Sequence, residues 1–427
     1  MENLKSLGQA FRVPEIRRKI LFTIMMLAIY RLGCCIPAPN IDRSILSDYF
    51  SSASGLFGLF DMFSGGSFSN FTIFALSITP YITASIILQL LTVAIPALEA
   101  LSKEGTEGRK KLAQYTRYLT VVLAFVQAIG LTIGLFRNAV IDKGIFSVAV
   151  VVLTLTAGTA FLMWLGEQIN EHGIGNGISL LIMAGIVARI PSAIHQTFNK
   201  WQAGEVSMVS IILFVVFALA VIVGIIEIQQ GMRKIPVNYA KRVVGRKMYG
   251  GQNTHIPMRV NQAGVIPVIF SISLLQFPLT ITYFMNSQNG FSVFVQKYLS
   301  PSGNPGVWIY ATLNIILIIF FTYFYTSITF NPLEVADNMK NNGGFIPGIR
   351  PGRPTVEYLS KVMTRITFCG AIFLAIIATL PTLLDNFTNL DIGFGGTSLL
   401  IAVGVALDTM KQLESQLMMR NYSGFLK

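Results

Sequence analysis

Residues able to do chemistry are few in this sequence, and their spacing excludes most reactions. The three histidines, His172, His195 and His255, lie far apart. There is no H-E-x-x-H pair to hold zinc, and no Gly-x-Ser-x-Gly turn presents a nucleophile. Cys34 and Cys35 are adjacent while Cys369 sits in an apolar run, which gives neither a disulfide framework nor metal-ligand spacing. The stretch GIGNGIS (173–179) has glycines at the spacing of a dinucleotide loop. It leads into an apolar run instead of joining a strand to a helix, so glycine packing and helix entry explain it better. The expectation is no catalytic residue, no metal and no cofactor.

Positive charge, by contrast, is concentrated on stiffened loops. In GGFIPGIRPGRPT (343–355), Pro347, Pro351 and Pro354 restrict the backbone and the glycines permit tight turns, so Arg350 and Arg353 sit on a semi-rigid tip. A second long loop, 227–260, carries Arg233, Lys234, Lys241, Arg242, Arg246, Lys247 and Arg259 against the single acid Glu227. Most connections in compact folds run about 4 to 6 residues, so loops this long are functional or disordered. A cationic tip on a shaped loop suits the docking of a partner.

The elements that carry these loops are membrane spans. The 427 residues are 53% hydrophobic and only 12% charged, too little charge to cover the surface of a soluble chain of this length. A spanning helix needs roughly 20 mostly apolar residues. Uncharged runs at 71–95, 118–136, 145–166, 206–226, 261–285, 306–330 and 366–384 meet that length. Three weaker candidates complete ten spans: 20–36 contains Arg31, 177–190 is short and ends near Arg189, and 392–407 is short and Gly-rich. The polar, basic N-terminal stretch lacks the pattern of a cleavable signal. With the N-terminus inside, 25 of the 32 Lys and Arg fall on the inner side and 7 on the outer, which places both termini in the cytosol by the positive-inside rule. The loop 167–176 has neither Lys nor Arg and follows by alternation alone.

Within the uncharged spans there is no mid-membrane acid, base or histidine, which weighs against an ion-coupled transporter. There are prolines: Pro80 and Pro267 are expected to kink the middle of spans 2 and 7. Ile78, Ile82, Ile86 and Leu90 form one stripe in span 2, and Ile269 follows Pro267 by two. Lipid-facing or core packing accounts for such stripes in any membrane helix. The aromatic segment 55–71, with Gly65 and Gly66 as a hinge, reads as an interfacial helix or a short re-entrant piece.

SITPYITASIILQLL, SKEGTEGRKKLAQYTRY, MWLGEQINEHGIGNGIS, NYAKRVVGR, VNQAGVIPVIF, FNPLEVADNMKNNGGFIPGIRPG and GGTSLLI, in this order, resemble the SecY family of bacterial protein-conducting channels over essentially the whole chain. The resemblance implies an all-α integral membrane protein, a clamshell of ten transmembrane helices in two inverted pseudo-symmetric halves, 1–205 and 206–427. It implies a pore ring of Ile82, Ile86, Ile182, Ile186, Ile269 and Ile401, sealing without polar groups that hold water. It implies a plug in 55–65, comprising Gly55, Leu56, Phe57, Gly58, Leu59, Phe60, Asp61, Met62 and Phe63. Thr92, Gln127 and Asn261 correspond to polar contacts of a lateral gate, although ordinary interhelical hydrogen bonding would explain them as well. Arg246 and Arg350 match basic positions that dock a ribosome, through its RNA, or the SecA motor ATPase. The implied partners are SecE, SecG, SecA, the ribosome, signal-bearing preproteins and membrane lipids. The implied place is the bacterial cytoplasmic membrane. A secondary transporter of a small solute, also built from repeats and broken helices, is the competing class. An intramembrane enzyme would need a nucleophile and base facing each other at membrane depth.

Overall fold

The computed structural model describes residues 13–42, 61, 64–137, 139–142, 144–204, 206–239, 242–244, 247–249, 253–282, 289–299, 306–388 and 396–423. Helices follow the apolar runs, and prolines mark where several begin. Pro14 opens α1 (Pro14–Gly33), Pro80 lies in the first turn of α2 (Thr79–Ala94), and Pro96 opens α3 (Pro96–Lys103). A proline there costs nothing, because its missing N–H is among those a helix leaves unpaired at its start.

This corrects the expectation of mid-span kinks. Pro80 and Pro267 both sit at helix starts, the latter as the second residue of α9 (Ile266–Thr282). Residues 71–78 are apolar but run as successive turns packed inside the protein. Hydropathy cannot separate buried turns from helix, since protein neighbours satisfy the broken ladder just as well. Span 2 is accordingly short and turns by 101° from α2 into α3.

The chain continues through α4 (Thr106–Ile129), with a π-helical end over Gly130–Leu135, and α5 (Ile145–His172). Next come α6 (Gly177–Ala188) and α7 (Ile190–Gln202), which together make span 5 longer than its expected 177–190. After α8 (Met208–Gln230) and α9 come α10 (Gly290–Tyr298), α11 (Gly306–Thr329), α12 (Pro332–Asn341), α13 (Arg353–Thr388) and α14 (Gly396–Ser423). Among the described residues, six stretches can cross a membrane by length and composition: Thr106–Gly134, Ile145–His172, Gly177–Gln202, Met208–Gln230, Gly306–Asn341 and Arg353–Leu380. The bent pair α2–α3 makes a seventh. The other three expected spans correspond to α1, α9 and α14, which are shorter or more polar. Ten spans are consistent with this set.

The main core is one continuous apolar cluster drawn from both halves of the chain. It joins Tyr30 of α1, Leu162 and Ile169 of α5, and Ile182 and Ile186 of α6 to Ile225 of α8, Ile269 of α9, Ile318 of α11, Leu374 of α13 and Ile401 of α14. A second cluster packs Phe68 and Phe71 of the turn region against Phe136, just past the π-helical end of α4, and Leu155 of α5. The Phe71 and Phe136 rings meet edge-on at 5.1 Å, and Phe71 is held at φ 43, an uncommon backbone for a bulky residue that its complete burial sustains. In α8 the apolar residues instead remain largely uncovered, with 6% of the span buried, as suits a helix facing lipid.

The two long loops add strands to the otherwise helical fold. β1 (Met232–Tyr239) pairs antiparallel with β4 (Asn253–Arg259), in register Ile235 opposite Ile256, and β2 (Arg242–Val244) pairs with β3 (Lys247–Tyr249). β5 (Gly344–Phe345) joins the other edge of β1. Ile235, Val237 and Met258 from the first loop share a core with Ala336, Met339, Ile346 and Leu359 from the second. The two loops are therefore one folded lobe.

Candidate functional site

The site expected at the centre of the fold is an aliphatic constriction, and the structure brings its members together in two adjoining groups. Ile182, Ile186, Ile269 and Ile401 are all buried within the main cluster. Ile82 packs against that cluster and also against a second one. Ile86 belongs to the second, with Phe270 of α9 and Phe321 of α11, whose rings meet edge-on at 5.7 Å. The six side chains thus lie in two adjoining apolar clusters that join α2 to α9 and α11, and α6 to α9 and α14, with Ile82 packed against both. Aliphatic side chains of this kind carry no polar group to hold water.

The expected gate residues are not joined to one another. Thr92 Oγ1 donates to the carbonyl of Gln89 within α2 at 2.7 Å. Asn261 Nδ2 donates to the Gly264 carbonyl at 3.0 Å, ahead of α9, while its buried Oδ1 meets no hydrogen-bond partner. Gln127 is half-buried in α4. Among the described residues no hydrogen bond links the three. The seam of α2 against α9 and α11 is instead aliphatic and aromatic. Beside it runs a polar tie that sequence reasoning missed: Ser271 Oγ of α9 donates to Asn314 Oδ1 of α11 at 2.6 Å, both buried.

Of the expected plug, Asp61 is described; Gly55, Leu56, Phe57, Gly58, Leu59, Phe60, Met62 and Phe63 lie outside the described residues, as does Arg246. Asp61 is buried and pairs with Arg189 at the end of α6, Oδ2 to Nη1 3.0 Å. Its Oδ1 accepts the backbone N–H of Ser69 at 2.8 Å. Arg31, in the last turn of α1, donates to the Gly65 carbonyl at 2.9 Å. A cavity of about 450 Å³ adjoins these groups, lined by Arg31, Cys34, Asp61, Ser69, Asn70 and Arg189. Both arginines stand out in the sequence as charges inside weak spans, and their shared target is what the sequence does not reveal.

The glycine-rich stretch 173–179 is a junction between helices. Asn176 caps α6 by accepting the Ser179 N–H at 3.3 Å. Ile174 N–H donates to Thr23 Oγ1 at 3.1 Å and Gly175 N–H to Gln412 Oε1 at 3.1 Å, tying α1 and α14 to the same turn. At Gly177 an added Cβ would run into the carbonyl oxygen of Gly166. Nearby, Lys411 donates to the Gln229 carbonyl at 3.3 Å, and burial, with the Arg259 charge second, pulls its ammonium below the usual lysine range.

Arg350 is exposed on the lobe, where its carbonyl accepts Thr355 Oγ1 at 2.9 Å and the neighbouring Gly348 and Gly352 have φ 82 and 103. The tip is shaped by these turns and by buried Ile346. Among the described residues, no group of three or more His, Cys, Asp or Glu is placed to hold a metal ion.

Comparison with known proteins converges on one family. The family model SecY matches residues 72–410. The protein translocase subunit SecY of Streptomyces scabiei is 50% identical over 99% of this chain and 100% of its own length. That of Halalkalibacterium halodurans is 47% identical over 99% and 100%. Among solved structures, one described as the structure of a protein conducting channel aligns with TM-score 0.68 at 21% identity over 96% of both chains. Sec61 in the canine ribosome-channel complex from the endoplasmic reticulum aligns with TM-score 0.64 at 20% identity over 96% of both.

Proposed function

This chain belongs to the SecY family, and from that premise we infer how it works. It is a protein-conducting channel, embedded in a membrane by multiple helices. The observation that supports the mechanism is that Ile82, Ile86, Ile182, Ile186, Ile269 and Ile401, drawn from four helices, fall in two adjoining apolar clusters; we read them as an uncharged belt lying where the two halves of the chain meet. We assign those halves as 1–205 and 206–427, opening about that line.

Aliphatic side chains make the belt tight to ions yet deformable, because dispersion contacts are individually weak and non-directional. An unfolded chain of any sequence can displace them without breaking a specific bond. The segment from Gly55 to about 70 is assigned as the plug on the outer side of the belt. Apolar segments of the passenger leave between α2 and the α9–α11 pair, past Thr92, Gln127 and Asn261. The apolar character of that seam supports this route, since a passenger helix would replace like with like. Roughly ten apolar residues at about 0.3 to 0.6 kcal/mol each outweigh the weak interhelical packing that such an opening disrupts.

Energy is supplied by the partner at the basic lobe, where Arg246 and Arg350 dock SecA or the ribosome. SecE and SecG complete the complex in the bacterial cytoplasmic membrane, with both termini cytosolic. The chain itself performs no catalysis in this reading. Vesicles reconstituted with this chain, SecE and SecA should protect a signal-bearing preprotein from external protease in an ATP-dependent way. Uptake of a small solute without preprotein protection would restore the transporter reading.

A further inference from the structure

The helix α10, GFSVFVQKY, is too short to span a membrane and carries a single charge, Lys297. Its side chains divide among three faces. Ser292 and Val295, three residues apart, are fully buried and mark the face packed on the neighbouring helices α9 and α11. Phe291, Phe294 and Tyr298 follow at intervals of three and four and share a second face. Phe291 and Phe294 are 42% and 54% exposed, and the Phe294 and Tyr298 rings lie 5.0 Å apart. Gln296 and Lys297, both exposed, form a third face with Val293. Lys297 Nζ stands 5.3 Å from the centre of the Tyr298 ring. Uncovered aromatic rings beside a lysine, on a helix with one polar side, are the make-up of a helix lying in a membrane boundary.

The neighbouring span gives the depth. α9 starts directly after β4 of the basic lobe and runs 17 residues. At a rise of about 1.5 Å per residue it is roughly 25 Å long, short of the roughly 30 Å hydrocarbon core. Its far end therefore stops at the acyl boundary of the leaflet opposite the lobe. α10 follows shortly and leads back into α11, so it sits at that end. Exposed Phe277 and Ile281 of α9 and Trp308 of α11 lie at the same end, where aromatic side chains collect in membrane proteins.

We propose that α10 is a phospholipid-binding interfacial helix of the leaflet opposite the lobe. Phe291, Phe294 and Tyr298 enter the acyl chains just beneath the glycerol, Lys297 meets the phosphates, and the helix completes at the boundary the crossing that α9 is too short to make. The proposal rests on the membrane-channel reading above. Lipid is the occupant because the uncovered face continues the exposed apolar surface of α9 and α11. Two phenylalanine rings also fall far below the about 800 Å² per partner of a standard protein interface. Because α9 borders the seam assigned to departing apolar segments, lipid held by α10 lies at the outer end of that route.

The test uses the chain with its partner subunits in vesicles of phosphatidylethanolamine and phosphatidylglycerol. These contain a trace of phosphatidylcholine bearing a diazirine either near the glycerol or at the acyl-chain end. After illumination, adducts are mapped by peptide mass spectrometry. The glycerol-proximal probe should label α10, and the chain-end probe should label Leu219, 58% exposed in the middle of α8, while leaving α10 unlabelled. Phe291→Ser combined with Phe294→Ser should lose the α10 adducts and keep those at Leu219. Val293→Ser, on the third face of the same helix, should keep both. An α10 unlabelled by either probe while Leu219 is labelled, an α10 labelled mainly by the chain-end probe, or a Val293→Ser variant that loses the α10 adducts as the pair does would overturn the proposal. Preprotein uptake by the parent in the same vesicles separates the two readings. Uptake with α10 unlabelled removes the lipid site alone, and absent uptake removes the channel reading on which its place at the exit seam rests.

Discussion

Replacing Ile186 by alanine tests the belt through energy and permeability together. Ile186 is 1% exposed, and the belt residues Ile182, Ile269 and Ile401 share its cluster. In a membrane the transfer part of the penalty largely cancels, because lipid tails are as apolar as the core. What remains is the void. Roughly 80 Å³ vacated without collapse, at about 24 cal/mol per Å³, costs about 2 kcal/mol. Ile186→Leu conserves volume and should cost under about 1.5 kcal/mol. Ile186→Asn places an amide where the belt excludes water and should wet it. The assay pairs thermal unfolding in detergent with halide influx into vesicles. The expected order of leak is Asn above Ala above Leu, with Leu near the parent. If Ile186→Asn is as tight as the parent, or Leu leaks as much as Ala, the dewetted-belt reasoning is wrong.

Further outcomes follow from other parts of the structure. Gly177→Ala forces a methyl group onto the Gly166 carbonyl, an overpacking that should cost about 1 to 3 kcal/mol or more and show as a lowered melting temperature. Ser271→Ala removes the donor to buried Asn314 and should cost on the order of 0.6 to 2 kcal/mol, measured by the same unfolding assay. Leu359→Ala, fully buried in the lobe core, should cost about 2 to 5 kcal/mol and expose the lobe to limited proteolysis while the spans stay resistant. Arg350→Glu, on an exposed tip, should abolish motor-driven uptake and leave melting unchanged. Wild-type uptake at equal abundance would remove Arg350 from the docking role.

The spans are legible because a run of apolar residues long enough to cross a membrane has few other uses in a chain this poor in charge. Their ends are not. Residues 71–78 are as apolar as a helix, and only their packing as buried turns against the second cluster places the start of α2 at Thr79. The β1–β4 hairpin carries a weak signal of its own: Ile235 and Val237 alternate inward on one strand, Ile256 and Met258 on the other. Charge density in 227–260 hides that alternation, so the loop reads only as a long basic connection.

At the site, the isoleucines can be named from motifs, yet their division between two adjoining clusters depends on how α2 lies against α9 and α11. Arg31 and Arg189 are visible as anomalies within weak spans. Their common target is not, because Asp61 and Gly65 approach them only after the chain has turned back between α1 and α6. A single sequence reports the cost of a buried charge but not the partner that meets it.

The most direct measurement places a photocrosslinking residue at Ile86, at Ile186 and at Ile269, with Leu213, 70% exposed on α8, as the control. A stalled, signal-bearing preprotein is then engaged in the presence of SecE and SecA. Adducts at the three belt positions and none at Leu213 are the predicted result. With the partners shown to be bound, adducts absent from the belt, or equally frequent at Leu213, would contradict a channel whose passenger threads this belt.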